Sequence, residues 1–582
     1  MYFKLSHILY LLRMKGFLKN FSAALVFCAG ELCAATFYAE KIAAQNFVLS
    51  YDEPANTADI VNSVVGAEAF FNLGVYGQKA RAANIELGVY FPGHYALAGT
   101  AKGEVFVPSG ADAAELYSSH ATGTAGVIAG YNSDTSNEIA YFASLGIAPL
   151  AELSAGAVAR VAGEENVSVE LADFCAVYSH FFGASDVINS SWGSSSTSPN
   201  NVFTHVIDAL ACQNTNTTFV VSAGNSGDSE NTVQALGLAF NGITVGALGN
   251  PSAFDAVASF SSRSPSDFYN PISGETVAGV RPAVDICAPG ESVSFAAYEK
   301  DNEATDLFMW ANGTSIAAPV ASGVACLMNS ASRALEENYA GTYGDLFEKM
   351  RDSRVVKAIM LNSAKKPDGW TNNQIISDYT TTIEIGSGIS MTSTFTNVIL
   401  TTQGLDFYSG AGALDAEGAL AHIMNLTQRR YWALDSVSAN SSVFYNLGYA
   451  FEGEILSATL VWNAHSELGE VGEDEAQIDN LYFSNLGLEL WIMLGGTHDL
   501  VAVSDTPYNN VEHLYLELAT DGEYLLRITF FDMAYGEMPE SETYAIAYSL
   551  VPEASCFAAV FGAAALAFAL FRRRNLRKKL DD

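Results

Sequence analysis

Ser315 stands where a serine can become a nucleophile. In residues 308–329 a polar loop, Asn312-Gly313-Thr314, runs directly into a stretch of small and apolar residues. Ala317, Ala318, Ala321, Ser322, Gly323 and Ala325 suit a helix packed closely on all sides. Ser315 then occupies the first turn, where free backbone N–H groups and the helix dipole favour negative charge. Attack of a serine on a carbonyl creates an oxyanion, so this is a fitting place for acyl transfer. Pro319 is compatible only with a helix start or a kink. A serine capping a buried helix would show the same local pattern. The catalytic reading therefore requires a base, an acid and an oxyanion donor elsewhere in the chain.

The full string Asn312–Pro319, with Ala321-Ser322-Gly323-Val324-Ala325 after it, resembles the nucleophile motif of subtilisin-like serine peptidases. Val320 departs from that motif, which usually has His after the Pro. The family's chain order is acid, base, serine. Residues 83–89, Ala-Asn-Ile-Glu-Leu-Gly-Val, read as a buried strand ending at a turn. Set against the family's Ala-Val-Ile-Asp-Thr-Gly-Val, they place Glu86 at the acid position. Glutamate can orient a histidine if its extra methylene is absorbed by backbone or ring placement. Residues 120–130 resemble the family's His-Gly-Thr-His-Val-Ala-Gly helix start, which makes His120 the base and puts Gly123 where a second His is usual.

Asp186–Gly193 reads as a strand and is similar to the family's Val-Ile-Asn-x-Ser-x-Gly segment, which pairs with the substrate backbone like an added strand. The resemblance carries substrate binding to Ser191, Trp192 and Gly193. Phe219–Gly227 reads as an apolar strand ending in Ala223-Gly224-Asn225, like the family's oxyanion segment. Asn225 would donate its side-chain amide, with Ala223 and Gly224 beside the substrate. Asparagine here also argues against the sedolisin relatives, which pair Ser with Glu and use Asp as the oxyanion residue. His94 reads as structural.

The elements that must hold these residues follow an alternating strand and helix pattern. Leu171–Phe182 reads as an amphipathic helix and Val355–Ala364 as a packing helix. Ala258–Arg263, Arg281–Gly290 and Gly410–Ala416 resemble further family segments, the last closing the catalytic domain. The pattern predicts an α/β fold, a mainly parallel sheet flanked by helices, within residues 36–425. Residues 36–75 carry no catalytic signal and are too few for the folding pro-domain of many subtilisins. Residues 430–550 change to short alternating runs such as Ala458–Trp462 and Tyr524–Phe530, which predict an antiparallel β-sandwich. Asn509–His513 resembles a signature of the sandwich appended to some subtilisins.

At 582 residues the chain has room for two or more cores. Apolar content of 49% and charged content of 16% indicate a folded protein. A net charge of −36 argues against nucleic acid as a partner, because phosphates would be repelled. Of the 28 Lys and Arg, ten lie within residues 1–20 and 572–579. Residues 1–35 read as a secretory signal, with Lys15 and Lys19, an apolar Phe21–Gly30 and the small-residue end Cys33-Ala34-Ala35; Met14–Ala35 alone is a complete signal. At the other end come Val551-Pro552-Glu553-Ala554, the apolar Ser555–Phe571 and Arg572-Arg573-Arg574. These resemble the PEP-CTERM sorting signal that exosortases process, with a transmembrane helix over 555–571 within residues 551–582. A permanent single-pass anchor is the alternative. Cys287 and Cys326 read as small buried residues, while Cys175 and Cys212 could pair in an oxidising compartment. Glu467–Glu475 could hold calcium but lacks EF-hand spacing, and a solvated charge run accounts for it better.

Together these observations predict a secreted or surface-held serine endopeptidase acting on proteins or peptides through a Glu86-His120-Ser315 triad. It would need no cofactor and no metal at its site. The glutamate in the acid place and the missing pro-domain leave a second reading open, a catalytically inactive scaffold used for binding.

Overall fold

The computed structural model describes residues 58–551 apart from 134–143, 161–168, 251–252, 301–304, 387–388, 425, 428 and 473–474. The signal segment 1–35, the terminal helix 555–571 and Cys28, Cys33 and Cys556 lie outside the described residues. Among those described, no helix is long and apolar enough to cross a membrane.

Six strands open the central sheet: β1 (Arg81–Glu86), β2 (Lys102–Phe106), β3 (Glu152–Ala157), β4 (Val187–Ser190), β5 (Thr218–Ser222) and β6 (Ile243–Gly249). With Ile286–Pro289 at one edge, the order is Ile286–Pro289, β6, β5, β4, β1, β3, β2. Every neighbour in that order is parallel. Ala256–Val257 adds antiparallel to β6. β4, β5 and β6 are buried along their whole length, as near-continuous apolar runs in a covered parallel sheet should be.

Five helices matter for the site: α1 (Ser119–Ala129), α2 (Leu171–Phe181), α3 (Val202–Gln213), α4 (Thr314–Tyr343) and α5 (Ser353–Ser363). α4 packs against the sheet with Ala317, Ala318, Ala321, Val324, Ala325 and Leu327 fully buried. Pro319 sits inside this helix, in its second turn. It lacks the N–H that would pair with the Ser315 carbonyl, so the chain tolerates it near the helix start.

Beyond the sheet lies the β-sandwich. One of its sheets orders Arg430–Ser438, Ser541–Val551, Ile455–Trp462 and Val511–Glu517, all antiparallel. The other contains Ser441–Ala450, Gly522–Tyr535, Ala476–Leu494 and Thr497–Ser504. Its far edge is a long hairpin, Gln374–Gly386 with Ile389–Thr401, whose second strand runs parallel to Thr497–Ser504. This hairpin falls inside the 36–425 stretch that the sequence assigns to the peptidase domain. In space it belongs to the sandwich sheet. Its Thr-rich, alternating strands find their ladder partner there rather than on the parallel sheet.

α5 carries the junction. It packs on both sandwich strands Ile455–Trp462 and Ser541–Val551 and on β5. Asn362 donates to Ser457 and Thr459 at 3.1 and 3.2 Å. Lys357 pairs with Asp285 at 2.9 Å, both side chains almost fully buried. The Asn509–His513 segment is buried at this junction: Asn510 donates to the Phe240 and Trp462 carbonyls, and Asn509 to the Pro282 carbonyl.

Candidate active site

Parallel sheets place ligands outside the carboxyl ends of their strands. Glu86 is the last residue of β1, Ser191 follows β4, and Ala223 follows β5. Two helix starts meet them there. Ser118 caps α1 through the Ala121 N–H, so His120 falls in its first turn. Ser315 falls in the first turn of α4.

His120 Nδ1 lies 3.2 Å from Glu86 Oε2, and Glu86 Oε1 is buried without a partner. The Glu86 side chain is 3% exposed and that of His120 is 43% exposed, so the acid is sealed and the base opens to the cleft. Burial lowers the His120 pKa, but the charge of Glu86 and its hydrogen bond outweigh that and hold the ring above its ordinary value. With Nδ1 on Glu86, Nε2 is the ring nitrogen left outside that contact. No hydrogen bond joins His120 to Ser315 among the described residues, and such bonds are often long until substrate is in place.

Asn225 and the start of α4 converge more tightly. Asn225 Oδ1 accepts from the Thr314 N–H at 2.8 Å and from the Thr314 hydroxyl at 3.1 Å. This turns Nδ2 toward Ser315. A methyl carbon built on Gly313 would lie 2.8 Å from Ser315 Oγ, 3.4 Å from Asn225 Nδ2 and 3.5 Å from the Ser315 nitrogen. One atom-sized position therefore faces the Ser315 hydroxyl and two N–H donors, and any side chain at residue 313 would block it. The Thr314 hydroxyl also accepts from the Gly224 N–H at 3.0 Å, which ties the β5 turn to the start of α4. Thr314 is fully buried.

The residues that the sequence assigns to substrate divide. Ser191 is buried, and its hydroxyl accepts from Asn189 at 3.0 Å. Trp192 donates its indole N–H to Tyr178, and Gly193 is exposed. Ala223 and Gly224 use their backbone groups internally: Ala223 with Val245 and Gln234, Gly224 with Thr314 and Ser262. Trp192-Gly193 continues the chain beyond the end of β4.

Several residues that the sequence reading did not single out hold the site together. Asn84 on β1 donates to the Ala121 carbonyl and to Thr124 on α1, at 3.1 and 3.0 Å. Asn189 on β4 donates to Asn84 at 2.9 Å and accepts from Ser322 on α4 at 3.0 Å. This buried chain fastens the His120 helix and the Ser315 helix to the two strands between them. Phe295, on Val293–Ala296, closes the other side. Its ring would lie 2.1 Å from a carbon on Gly123, and it packs 6.0 Å from the His120 ring. Phe295 thus fills the space beside Gly123, the position where a second family histidine would project. His94 is buried and bonds to the Leu307 carbonyl and the Ala96 N–H, in keeping with a structural role. Among the described residues no cluster of His, Cys, Asp or Glu could hold a metal ion.

A family model described as the Subtilase family matches residues 96–412. That span contains His120, Asn225 and Ser315, and begins after Glu86. No curated protein matches the chain. Among solved structures, the prenylagaramide maturation protease PagA is similar over 62% of this chain and 99% of its own, at 17% identity and a TM-score of 0.42. A mutant protease domain of PatA is similar over 60% of this chain and 96% of its own, at 18% identity and a TM-score of 0.40.

Proposed function

The chain belongs to the subtilase family of serine peptidases, and from that premise we propose that it is a secreted or surface-held endopeptidase working through Glu86, His120, Ser315 and Asn225. The observation that carries this reading is the convergence at Gly313, where nucleophile and two oxyanion donors surround one atom-sized position. Ser315 Oγ attacks the scissile carbonyl. His120 takes its proton and returns it to the leaving amine. Glu86 keeps the ring in place and stabilises the imidazolium. The Asn225 amide and the Ser315 N–H receive the oxyanion.

The endopeptidase character rests on the Trp192-Gly193 edge, which suits a chain lying extended across the cleft. Placement outside the cytoplasm, and processing by an exosortase-type enzyme, rest on the sequence of residues 1–35 and 551–582. The buried, unpartnered Glu86 Oε1 adds to the grounds for the inactive-scaffold reading.

The full chain and its Ser315→Ala variant should be incubated with a serine-directed fluorophosphonate probe and with unfolded casein. Labelling and cleavage by the unsubstituted chain alone are expected. A folded chain that neither labels nor cleaves casein would overturn the proposal in favour of a scaffold.

A further inference from the structure

A second set of chemical groups lies where the two lobes meet, far along the chain from the peptidase residues. Cys212 on α3 has its Sγ 3.5 Å from His465 Nδ1. His465 opens the strand His465–Val471, and its Nε2 lies 2.8 Å from Glu542 Oε1. Glu542 is almost fully buried, and Ser484 donates to its other oxygen at 2.6 Å. The His465 ring is stacked on Tyr482, centroids 4.1 Å apart with 13° between planes. The imidazole is thus fixed on three sides: a carboxylate on one nitrogen, a thiol on the other and an aromatic ring on its face.

Of the free cysteines among the described residues, Cys175, Cys287 and Cys326 are buried, and Cys212 is half-buried. Burial pushes the Cys175 thiol up to about 11 and those of Cys287 and Cys326 higher still. Cys212 instead has an imidazole ring within reach. Burial acts against a charged His465 ring, but its hydrogen bonds to Cys212 and Glu542 and their charges raise its pKa to about 9. The charged and titratable groups facing this pair are Glu542, Tyr482 and Arg354, with Glu467 beyond Tyr482. Thiols next to an imidazolium or a cationic side chain are the ones that react as thiolates.

We infer that Cys212, His465 and Glu542 form an activated-thiol site, distinct from the peptidase centre, whose reaction partner is a small organic disulfide. The Cys212 sulfur attacks one sulfur of the disulfide, and that S–S bond breaks as the Cys212 S–S bond forms. The thiol proton passes by way of His465 to the departing thiolate. Cys212 is oxidised to a mixed disulfide, and the leaving sulfur is reduced to a thiol. The added group displaces the Sγ–Nδ1 contact that bridges α3 of the peptidase lobe to the sandwich.

The test uses the full chain carrying Ser315→Ala, which removes self-digestion and makes the result independent of the peptidase reading. Exchange with hydroxyethyl disulfide is timed at several pH values, and the modified cysteine is located by peptide mass mapping. An unperturbed thiol loses about 50-fold in rate between about pH 8.5 and pH 6.5. Cys212 is expected to lose less than about threefold over that range and to react ahead of Cys175, Cys287 and Cys326. His465→Gln and Glu542→Gln should restore the steep profile. A 50-fold loss at Cys212 in the unsubstituted site, or reaction no faster than at Cys175, overturns the inference. That profile decides the question even if the two variants do not fold.

Discussion

Glu86 reaches His120 with one oxygen and leaves the other buried and bare. The contact is long for a charge-assisted bond, yet it still raises the ring's pKa. A raised folded-state value means that His120 holds its proton to higher pH, so the base form appears only as pH rises through that value. The rate at low substrate should therefore rise with an inflection above the ordinary histidine value of about 6.5. The associated stability is fully present below the unfolded value and is lost as pH rises through the folded one. In Glu86→Gln only the desolvation remains, and an NMR titration of His120 should show the ring titrating lower. An unchanged titration would mean that Glu86 does not govern the base.

At the scale of elements, the site is a meeting of strand ends and helix starts held by a buried polar chain. Asn189 links Asn84 on β1 to Ser322 on α4. Asn189→Ala would strip partners from both and leave Asn84 Oδ1 buried and bare. It should cost about 1–3 kcal/mol in urea denaturation, with a larger loss of turnover than of substrate binding, because α1 and α4 lose their common anchor. The sequence singles out Ser315, His120 and Asn225 because each sits in a short motif shaped by its own strand or helix end. It does not single out Asn84, Asn189 and Phe295. Their meaning lies in contacts between segments distant in sequence, and a lone Asn in an apolar strand carries no local sign of its partner. Ala223 and Gly224 are a different case. Their motif was legible, but their backbone groups are already engaged within the protein.

At the scale of the molecule, the two lobes share a helix and buried charges. Lys357 on α5 pairs with Asp285 and also donates to the Gly242 carbonyl. Lys357→Met would leave the Asp285 carboxylate buried without its cation. Such a break costs about 3–5 kcal/mol, and thermal unfolding should show it as a lower midpoint of a single transition, since α5 packs on both lobes. Two separate transitions would show that the lobes unfold independently. The parallel sheet and the sandwich were legible as classes from their hydrophobic periods. The crossing between them was not, because strand partners are chosen in three dimensions.

The hairpin at 374–401 has a consequence for the molecule's modularity. The chain leaves the peptidase lobe after α5 and lays two strands on the sandwich. It then returns, with Ala413 bridged to Cys287, before leaving again at Arg430. No single cut separates the lobes. A gene fusion that borrowed the sandwich from residue 430 onward would leave its edge strands behind, and a peptidase lobe ended at residue 424 would carry an orphan ribbon. Any exchange of this sandwich between proteins would have to move two segments at once.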